Sequence, residues 1–188
     1  YRFDTTETRR LMGEGPRFVV NRDLGVEHDL QHTESHGRIP DGDPHQVSDY
    51  AVKRGSEQCG TLGSGNHFME VQVVDSVFDA EVAKAFGLEL NQVCVMIHSG
   101  SRGLGYQVCD DALATFRNCP AKYGFELPDR QLACAPVDSP EGRKYIAQMR
   151  AAANYGFCNR QLLMHQAREV FAHVFGRSWE DLGMEQLY

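Results

Sequence analysis

The chain has 188 residues, 41% of them hydrophobic and 24% charged, a composition typical of one globular domain or of a slice of a larger one. Its formal net charge of −7 argues against non-specific nucleic-acid binding, so any contact with a nucleic acid needs a local basic patch. No apolar run approaches the roughly 18 to 20 residues of a membrane-spanning helix.

The chain starts with neither an initiator Met nor a signal peptide, which fits a processed chain or one taken from the middle of a longer protein. Its six cysteines form no C-x-x-C pair and are too scattered for a small disulfide scaffold. They predict free, mostly buried thiols in a reducing compartment, and we expect a cytoplasmic protein without membrane contact.

The first long segment without apolar periodicity covers residues 21–49 and is rich in Gly, Pro, His and carboxylates. We interpret it as a long irregular loop with short elements. A loop of this length in a compact domain is usually functional or mobile.

Strands and helices alternate loosely in the middle of the chain. Residues 70–74 alternate as in a strand, and Ser76 is the predicted cap of a helix over 77–86 that ends at Gly87. The apolar run 92–97 predicts a strand buried on both faces, and a helix is predicted from about Gly105 to Phe116.

The clearest element is the last helix. Ser139, Pro140 and Glu141 form a strong helix start, and apolar residues recur at helical spacing down to Gly176. The pattern predicts one helix to about residue 175 that bends near Gly156. Because strands and helices do not alternate strictly, we favour the α+β class.

The first segment with chemical potential is residues 60–70, GTLGSGNHFME. Its three glycines allow close backbone approach to a ligand and positive φ angles. If the strand begins at Asn66, alternation puts Asn66, Phe68 and Glu70 on one face, leaving His67 free to bind a metal. The same pattern also fits a tight turn into a strand, with His67 an ordinary histidine.

The second segment, residues 97–105 (IHSGSRGLG), ends a strand with His98 and leads through a Gly/Ser turn into a helix. Backbone N–H groups at a helix start can bind a phosphate, and Arg102 adds a bidentate fork. The basic pair Lys53 and Arg54 lies just before the first segment. By residue type alone, Arg102 equally fits a surface position in a glycine-punctuated connection, and a solvated charged turn fits Lys53 and Arg54 better than a substrate contact does.

At these residues the chain resembles a known family. The run LGSGNHF with Glu70 is similar to the G-x-G-N-H-x-x-E signature of the RtcB RNA ligases, and MIHSGSRGLG resembles their second histidine motif. The resemblance continues through residues 129–133, 139–142 and 151–155 to Asn159 and Arg160, and so covers about residues 50–188.

The resemblance implies a GTP- and manganese-dependent ligase that joins RNA 3′-phosphate or 2′,3′-cyclic phosphate ends to 5′-hydroxyl ends in tRNA splicing and RNA repair. A family histidine becomes guanylated by GTP, the guanylate passes to the RNA 3′-phosphate, and the 5′-hydroxyl displaces GMP. Two manganese ions suit this chemistry because they neutralise phosphate charge and orient the reacting groups. RNA ends and GTP are the implied partners, and the need for an activating protein stays open.

The implied roles fall on two motifs and a basic group. His67 and His98 match metal-binding histidines. The nucleotide-binding stretch comprises Asn66, His67, Phe68, Met69 and Glu70. Lys53, Arg54 and Arg102 match cations that contact RNA phosphates. The implied fold is a mixed sheet with helices around a metal pocket.

Several departures limit what this chain can do. No Asp-Cys segment that would supply the family's bridging cysteine precedes residue 50, and Tyr106 stands where a histidine is expected. The Asp-x-x-His-Asn segment and the guanylated histidine would follow the last residue. We therefore interpret residues 1–188 as the incomplete central portion of one catalytic domain, with no catalytic residue of its own and no ligase activity in isolation.

Two other classes stay open. A shortened relative that binds nucleotides or RNA ends without catalysis would use the same glycine loops and cations. A metal-dependent phosphate ester hydrolase would also use histidines and an arginine, although no cluster of carboxylates accompanies His67 or His98. Only a ligase would require GTP.

Overall fold

The computed structural model describes residues 1–186, with Arg130 described by its backbone only. The first part is helical, and short 3-10 segments separate its last helices. The elements are α1 (Thr5–Glu14), α2 (Arg17–Val20), α3 (Glu27–Gln31), 3-10 segments at Glu34–Gly37 and Pro44–Gln46, and α4 (Asp49–Ser56). The remainder comprises β1 (Phe68–Val73), α5 (Ala80–Ala85), β2 (Val93–His98), α6 (Arg102–Phe116), α7 (Cys119–Tyr123), a 3-10 segment at Arg130–Leu132, and α8 (Pro140–Phe175).

The long helix α8 is the axis of the fold and confirms the predicted start and end of the last helix. The Ser139 hydroxyl accepts a hydrogen bond from the Gly142 N–H at 3.0 Å, which caps the first turn. The helix runs without interruption for 36 residues, about 54 Å, and ends at Gly176 in the left-handed conformation with φ of 61°. It packs against α1, α2, α6, β2 and the 3-10 segment Pro44–Gln46.

The hydrophobic core lies where α1, α4 and α6 pack against α8. The Tyr155 hydroxyl in α8 donates to the Gly55 carbonyl of α4 at 2.6 Å, and Gly55 lies directly against Leu104 of α6. A side chain at Gly55 would collide with Leu104, so the close approach of α4 and α6 requires glycine. The cluster comprises Phe3, Leu11, Met12, Phe18, Val19, Val47, Ala51, Val52, Cys59, Leu104, Val108, Ala151, Ala152, Tyr155, Cys158 and Leu162.

Strands β1 and β2 form an antiparallel pair in which Phe68 lies opposite His98 and Val73 opposite Val93. The predicted burial of the second strand on both faces is wrong, since Val93 is 56% and Met96 47% exposed. The expected mixed sheet is also wrong for the described residues, whose sheet has these two strands alone. A two-stranded sheet leaves each strand one neighbour, so a continuous apolar run stays partly open to solvent.

The helix between the strands is shorter than predicted. It begins at Ala80 because the Asp79 carboxylate accepts from the N–H groups of Glu81 and Val82, both at 3.0 Å, and so replaces Ser76 as the cap. Helix α6 begins at Arg102, three residues before the predicted start. Both segments were correctly predicted to be helical, but their limits differ from the predicted ones.

Residues 21–49 contain α3 and the two first 3-10 segments, so the predicted loop is partly ordered. Several contacts with α8 hold it. Asn154 accepts from the Ile39 N–H at 2.8 Å, and buried Asp29 pairs with Arg168. Residues 21–49 therefore pack against the rest of the fold. Their histidines are distant in sequence from the two histidine motifs.

All six cysteines are free, as predicted, although only Cys59, Cys119 and Cys158 are buried. Within residues 1–186, no helix is both long and apolar enough to cross a bilayer.

Candidate metal and nucleotide site

The hairpin of β1 and β2 brings the two histidine motifs to the same end of the sheet. His98 is the last residue of β2 and lies opposite Phe68, the first residue of β1. His67 directly precedes that strand. The rings of Phe68 and His98 stack, with centroids 5.1 Å apart and planes inclined by 14°. The glycine-rich segments before β1 and after β2 therefore meet.

The predicted alternation around Asn66 does not hold, because β1 begins at Phe68 and Asn66 lies in the preceding turn. Asn66 is exposed there, and the strand pleat does not determine its side. Glu70 is also exposed and accepts a hydrogen bond from Gln72 at 2.7 Å. Met69 is half-buried opposite Ile97. Of the five predicted nucleotide contacts, Phe68 and Glu70 share one face of the strand.

The imidazole of His67 is oriented by its own turn. Its Nδ1 lies 2.9 Å from the Ser64 carbonyl oxygen, and a carbonyl only accepts, so Nδ1 carries the proton. In the neutral ring this leaves the lone pair on Nε2. A metal-binding histidine is commonly fixed in this way, by a carbonyl at the nitrogen that does not bind the metal. Nε2 is therefore the nitrogen of His67 with the lone pair that a metal ion would require.

Arg102 lies beside His67 over Gly63. A Cβ at Gly63 would collide with Nη1 of Arg102 and with Nδ1 of His67, so both side chains occupy the space that the glycine leaves. Nε of Arg102 donates to the Thr61 hydroxyl at 3.0 Å. The φ angle of Arg102 is 53°, a strained value for a non-glycine residue. Strain of this kind clusters at functional sites.

A side chain of the protein already binds a backbone N–H group at the start of α6. The Gly103 N–H donates to the Gln58 side-chain oxygen at 2.8 Å, so this amide does not point free toward a phosphate. Arg54 lies against the same turn, where it donates to Gln107 at 3.0 Å and lies over the Tyr106 ring at 5.4 Å. Arg54 and Arg102 thus flank Gly103, and exposed Lys53 lies in the last turn of α4.

Residues of α8 that sequence patterns did not identify as functional hold these loops in place. Asn159 accepts from the N–H groups of Gly60 at 2.7 Å and Thr61 at 3.1 Å. Its amide nitrogen donates to the Ser99 hydroxyl at 2.9 Å and the Gly100 carbonyl at 3.0 Å. The sequence does contain one indication of this role: Asn159 is a polar residue inside the apolar stripe of a helix, and such a residue is usually buried and hydrogen-bonded.

The part of the chain that the structure describes contains no group of three or more His, Cys, Asp or Glu side chains able to hold a metal ion. The expected metal pocket is therefore not formed by these residues alone. A cleft of about 790 Å³ lies beside β2 and is lined by His98 and Ser99 on one side and by Phe171 and Phe175 of α8 on another. Its volume lies in the range of small-molecule sites.

Comparison with known proteins gives a consistent result. A family model described as tRNA-splicing ligase RtcB matches residues 1–188. The chain is 51% identical over 187 residues to a tRNA-splicing ligase RtcB of Methanococcus maripaludis and 52% identical over 187 residues to one of Archaeoglobus fulgidus. Both alignments cover 100% of this chain and 39% of the relative. An RNA-splicing ligase RtcB of Mycobacterium bovis is 49% identical over 173 residues, which is 92% of this chain and 40% of that relative.

Proposed function

Because the chain belongs to the RtcB family of tRNA-splicing ligases, we propose that the complete protein joins RNA 3′-phosphate or 2′,3′-cyclic phosphate ends to 5′-hydroxyl ends, with GTP and manganese. The observation that supports this most is the meeting of both histidine motifs at one end of the β1–β2 hairpin. The chain spans 39% of the length of the relatives from Methanococcus maripaludis and Archaeoglobus fulgidus, and in this proposal other segments of the complete protein would complete the site.

His67 and His98 are the proposed manganese ligands. His67 would bind through Nε2, since its Nδ1 proton is engaged by the Ser64 carbonyl. Manganese would neutralise phosphate charge and orient the reacting groups. Two histidines are too few to close a site, so the remaining ligands would come from other segments of the complete protein.

The residues from Asn66 to Glu70 are the proposed guanosine contacts. Phe68 stacks on His98, so a nucleotide bound near this ring would lie close to a proposed metal ligand. Exposed Asn66 and Glu70 present an amide and a carboxylate that suit the hydrogen-bonding edge of a purine. The adjoining cleft offers room for a base.

Arg102, Arg54 and Lys53 are the proposed contacts for RNA phosphates. The chain carries a net charge of −7, so binding an anionic substrate requires positive charge concentrated at the site. Arg102 and Arg54 flank the same glycine turn, and Thr61 fixes the guanidinium of Arg102. A guanidinium held in one orientation suits bidentate contact with a phosphate.

A gel assay of the complete protein with GTP, Mn²⁺ and RNA bearing a 3′-phosphate and a 5′-hydroxyl tests the function. We expect ligation that stops when either GTP or Mn²⁺ is omitted. His98→Ala should lower the rate by more than the roughly 10- to 100-fold typical of losing a group that merely supports a ligand. His173→Ala, on the exposed last turn of α8, is the matched control and should stay within twofold.

The isolated chain of residues 1–188 should neither become guanylated nor ligate RNA. Ligation above background by this chain would overturn the assignment of the missing ligands and guanylated histidine to other segments. If the complete protein binds RNA ends but never joins them, the non-catalytic binding module replaces the ligase. If it cleaves phosphate esters with Mn²⁺ but without GTP, the hydrolase replaces it.

A further inference from the structure

We infer that Asn159 is a positioning residue that holds the two histidine motifs in their relative placement, an inference that rests on the proposed manganese site. Asn159 lies in the middle of α8, is fully buried, and contacts both glycine-rich segments. It binds Gly60 and Thr61 before β1, and Ser99 and Gly100 after β2.

The amide group is suited to this task because it accepts at one end and donates at the other. Oδ1 takes two backbone N–H groups from the first segment, at 2.7 and 3.1 Å. Nδ2 gives its two protons to the second segment, at 2.9 and 3.0 Å. An aspartate would keep the acceptor and lose both donors, and an apolar side chain would lose all four bonds.

The bonds of Asn159 lie close in sequence to the groups they would position. Ser99 directly follows His98, so the second pair of bonds holds the residues next to that ligand. Thr61, held through its N–H, also accepts from Arg102, which lies with His67 over Gly63. One buried side chain is thereby coupled to both proposed ligands and to the proposed RNA-binding arginine.

The hairpin itself offers little alternative support. Val71 is 66% and Val73 57% exposed, so much of the sheet does not pack on the core. Two neighbours in α8 assist Asn159: Arg160 donates to the Ser99 carbonyl at 3.0 Å, and Gln166 donates to the Gly60 carbonyl at 2.9 Å. Metal sites tolerate displacements of only about 0.5 Å, so loosening this attachment should weaken binding.

Asn154 provides a matched control on the same helix. It is also buried, and it makes three hydrogen bonds, accepting from Ile39 and donating to the carbonyls of Met12 and Ile39. None of these partners belongs to a histidine motif. Asn154→Ala therefore removes a comparable buried amide from α8 while leaving the four loop contacts of Asn159 in place.

The experiment compares Asn159→Ala with Asn154→Ala in the complete protein. Both variants should lower the thermal midpoint. Only Asn159→Ala should weaken Mn²⁺ binding, by about 10- to 100-fold, measured from the electron paramagnetic resonance signal of free Mn²⁺. Hydrogen exchange should speed up in residues 60–67 and 97–101 of that variant alone. Equal Mn²⁺ affinity and equal exchange in the two variants would overturn the inference.

A second variant covers the case in which Asn159→Ala does not fold. Asn159→Asp keeps the size and the acceptor for Gly60 and Thr61, so faster exchange should be confined to residues 99–101. Unchanged exchange there would also overturn the inference. The exchange measurement needs no metal, so it separates the two proposals. Wild-type protein that binds no Mn²⁺ refutes the proposed function, whereas wild-type binding with no effect of Asn159→Ala refutes only the positioning role.

Discussion

Replacing Arg168 by methionine should destabilise the protein strongly. Arg168 pairs with Asp29 through two hydrogen bonds of 2.8 and 2.9 Å, and their side chains are 3% and 0% exposed. The guanidinium also donates twice to the Met184 carbonyl, which ties the segment after α8 to the helix. Removing one partner of such a buried pair typically costs about 3 to 5 kcal/mol, because the remaining charge stays buried without its counter-ion.

Removing both charges should cost much less. In Asp29→Asn with Arg168→Met, the asparagine keeps an acceptor for the Val26 N–H and the Gln161 amide, which lie 3.0 and 2.9 Å from Asp29. The coupling energy between the two substitutions should reach about 2 to 3 kcal/mol in a double-mutant cycle. Urea denaturation of the complete protein measures the cost of Arg168→Met and the coupling energy. Hydrogen exchange in peptides that cover α3 provides a second measurement.

The pH dependence gives an independent check. Burial alone raises the pKa of the Asp29 carboxyl, but hydrogen bonds from Arg168, the Val26 N–H and Gln161 outweigh it and hold the pKa below its usual value. Asp29 therefore stabilises the fold above its unfolded pKa of about 3.9, and this contribution is lost as the pH falls through the lower folded pKa. Without Arg168 the pKa of Asp29 rises, so the cost of Arg168→Met should shrink on acidification.

Two results would refute this reasoning. One is a cost of Arg168→Met below about 1 kcal/mol, which is the range of an exposed ion pair. The other is a double variant as unstable as the sum of the single variants, which would mean that the two charges act independently.

Three further predictions concern the site and its surroundings. Gly63→Ala should weaken Mn²⁺ binding by about tenfold or more in isothermal titration calorimetry, because the new Cβ displaces both His67 and Arg102. Thr61→Val should raise the KM for RNA about three- to tenfold with little change in Mn²⁺ affinity, because Arg102 loses the acceptor of its Nε. Cys59 should resist iodoacetamide at pH 8 until urea unfolds the protein, because burial raises the pKa of its thiol to about 12.

Each of these predictions has a matched control. Gly100→Ala adds a methyl group where no atom lies within 4 Å, so this variant should keep the Mn²⁺ affinity of the wild type. A loss of affinity equal to that of Gly63→Ala would contradict the steric explanation. Thr6→Val, on the exposed surface of α1, should leave the KM for RNA unchanged. The exposed Cys109 should react with iodoacetamide in the folded protein, and protection equal to that of Cys59 would contradict the role of burial.

Local chemistry in the sequence was sufficient to predict the limits of α8 and to identify the two histidine motifs. The Ser139 cap, the proline after it and the glycine at position 176 delimit α8 through bonds within a few residues, so they can be identified without the fold. The two histidine motifs are continuous runs of ten residues or fewer, and they identified the family that the whole-chain comparison confirms.

Tertiary contacts decided the rest, because they join residues far apart in the chain. The bonds of Asn159 to Gly60 span 99 positions, and the pair of Asp29 with Arg168 spans 139. A sequence pattern does not specify which distant backbone groups a buried amide satisfies. The exposure of β2 likewise depends on how many strands surround it. The sequence by itself therefore identified the candidate residues for metal and phosphate binding, and only the fold decided how α8 holds their loops together.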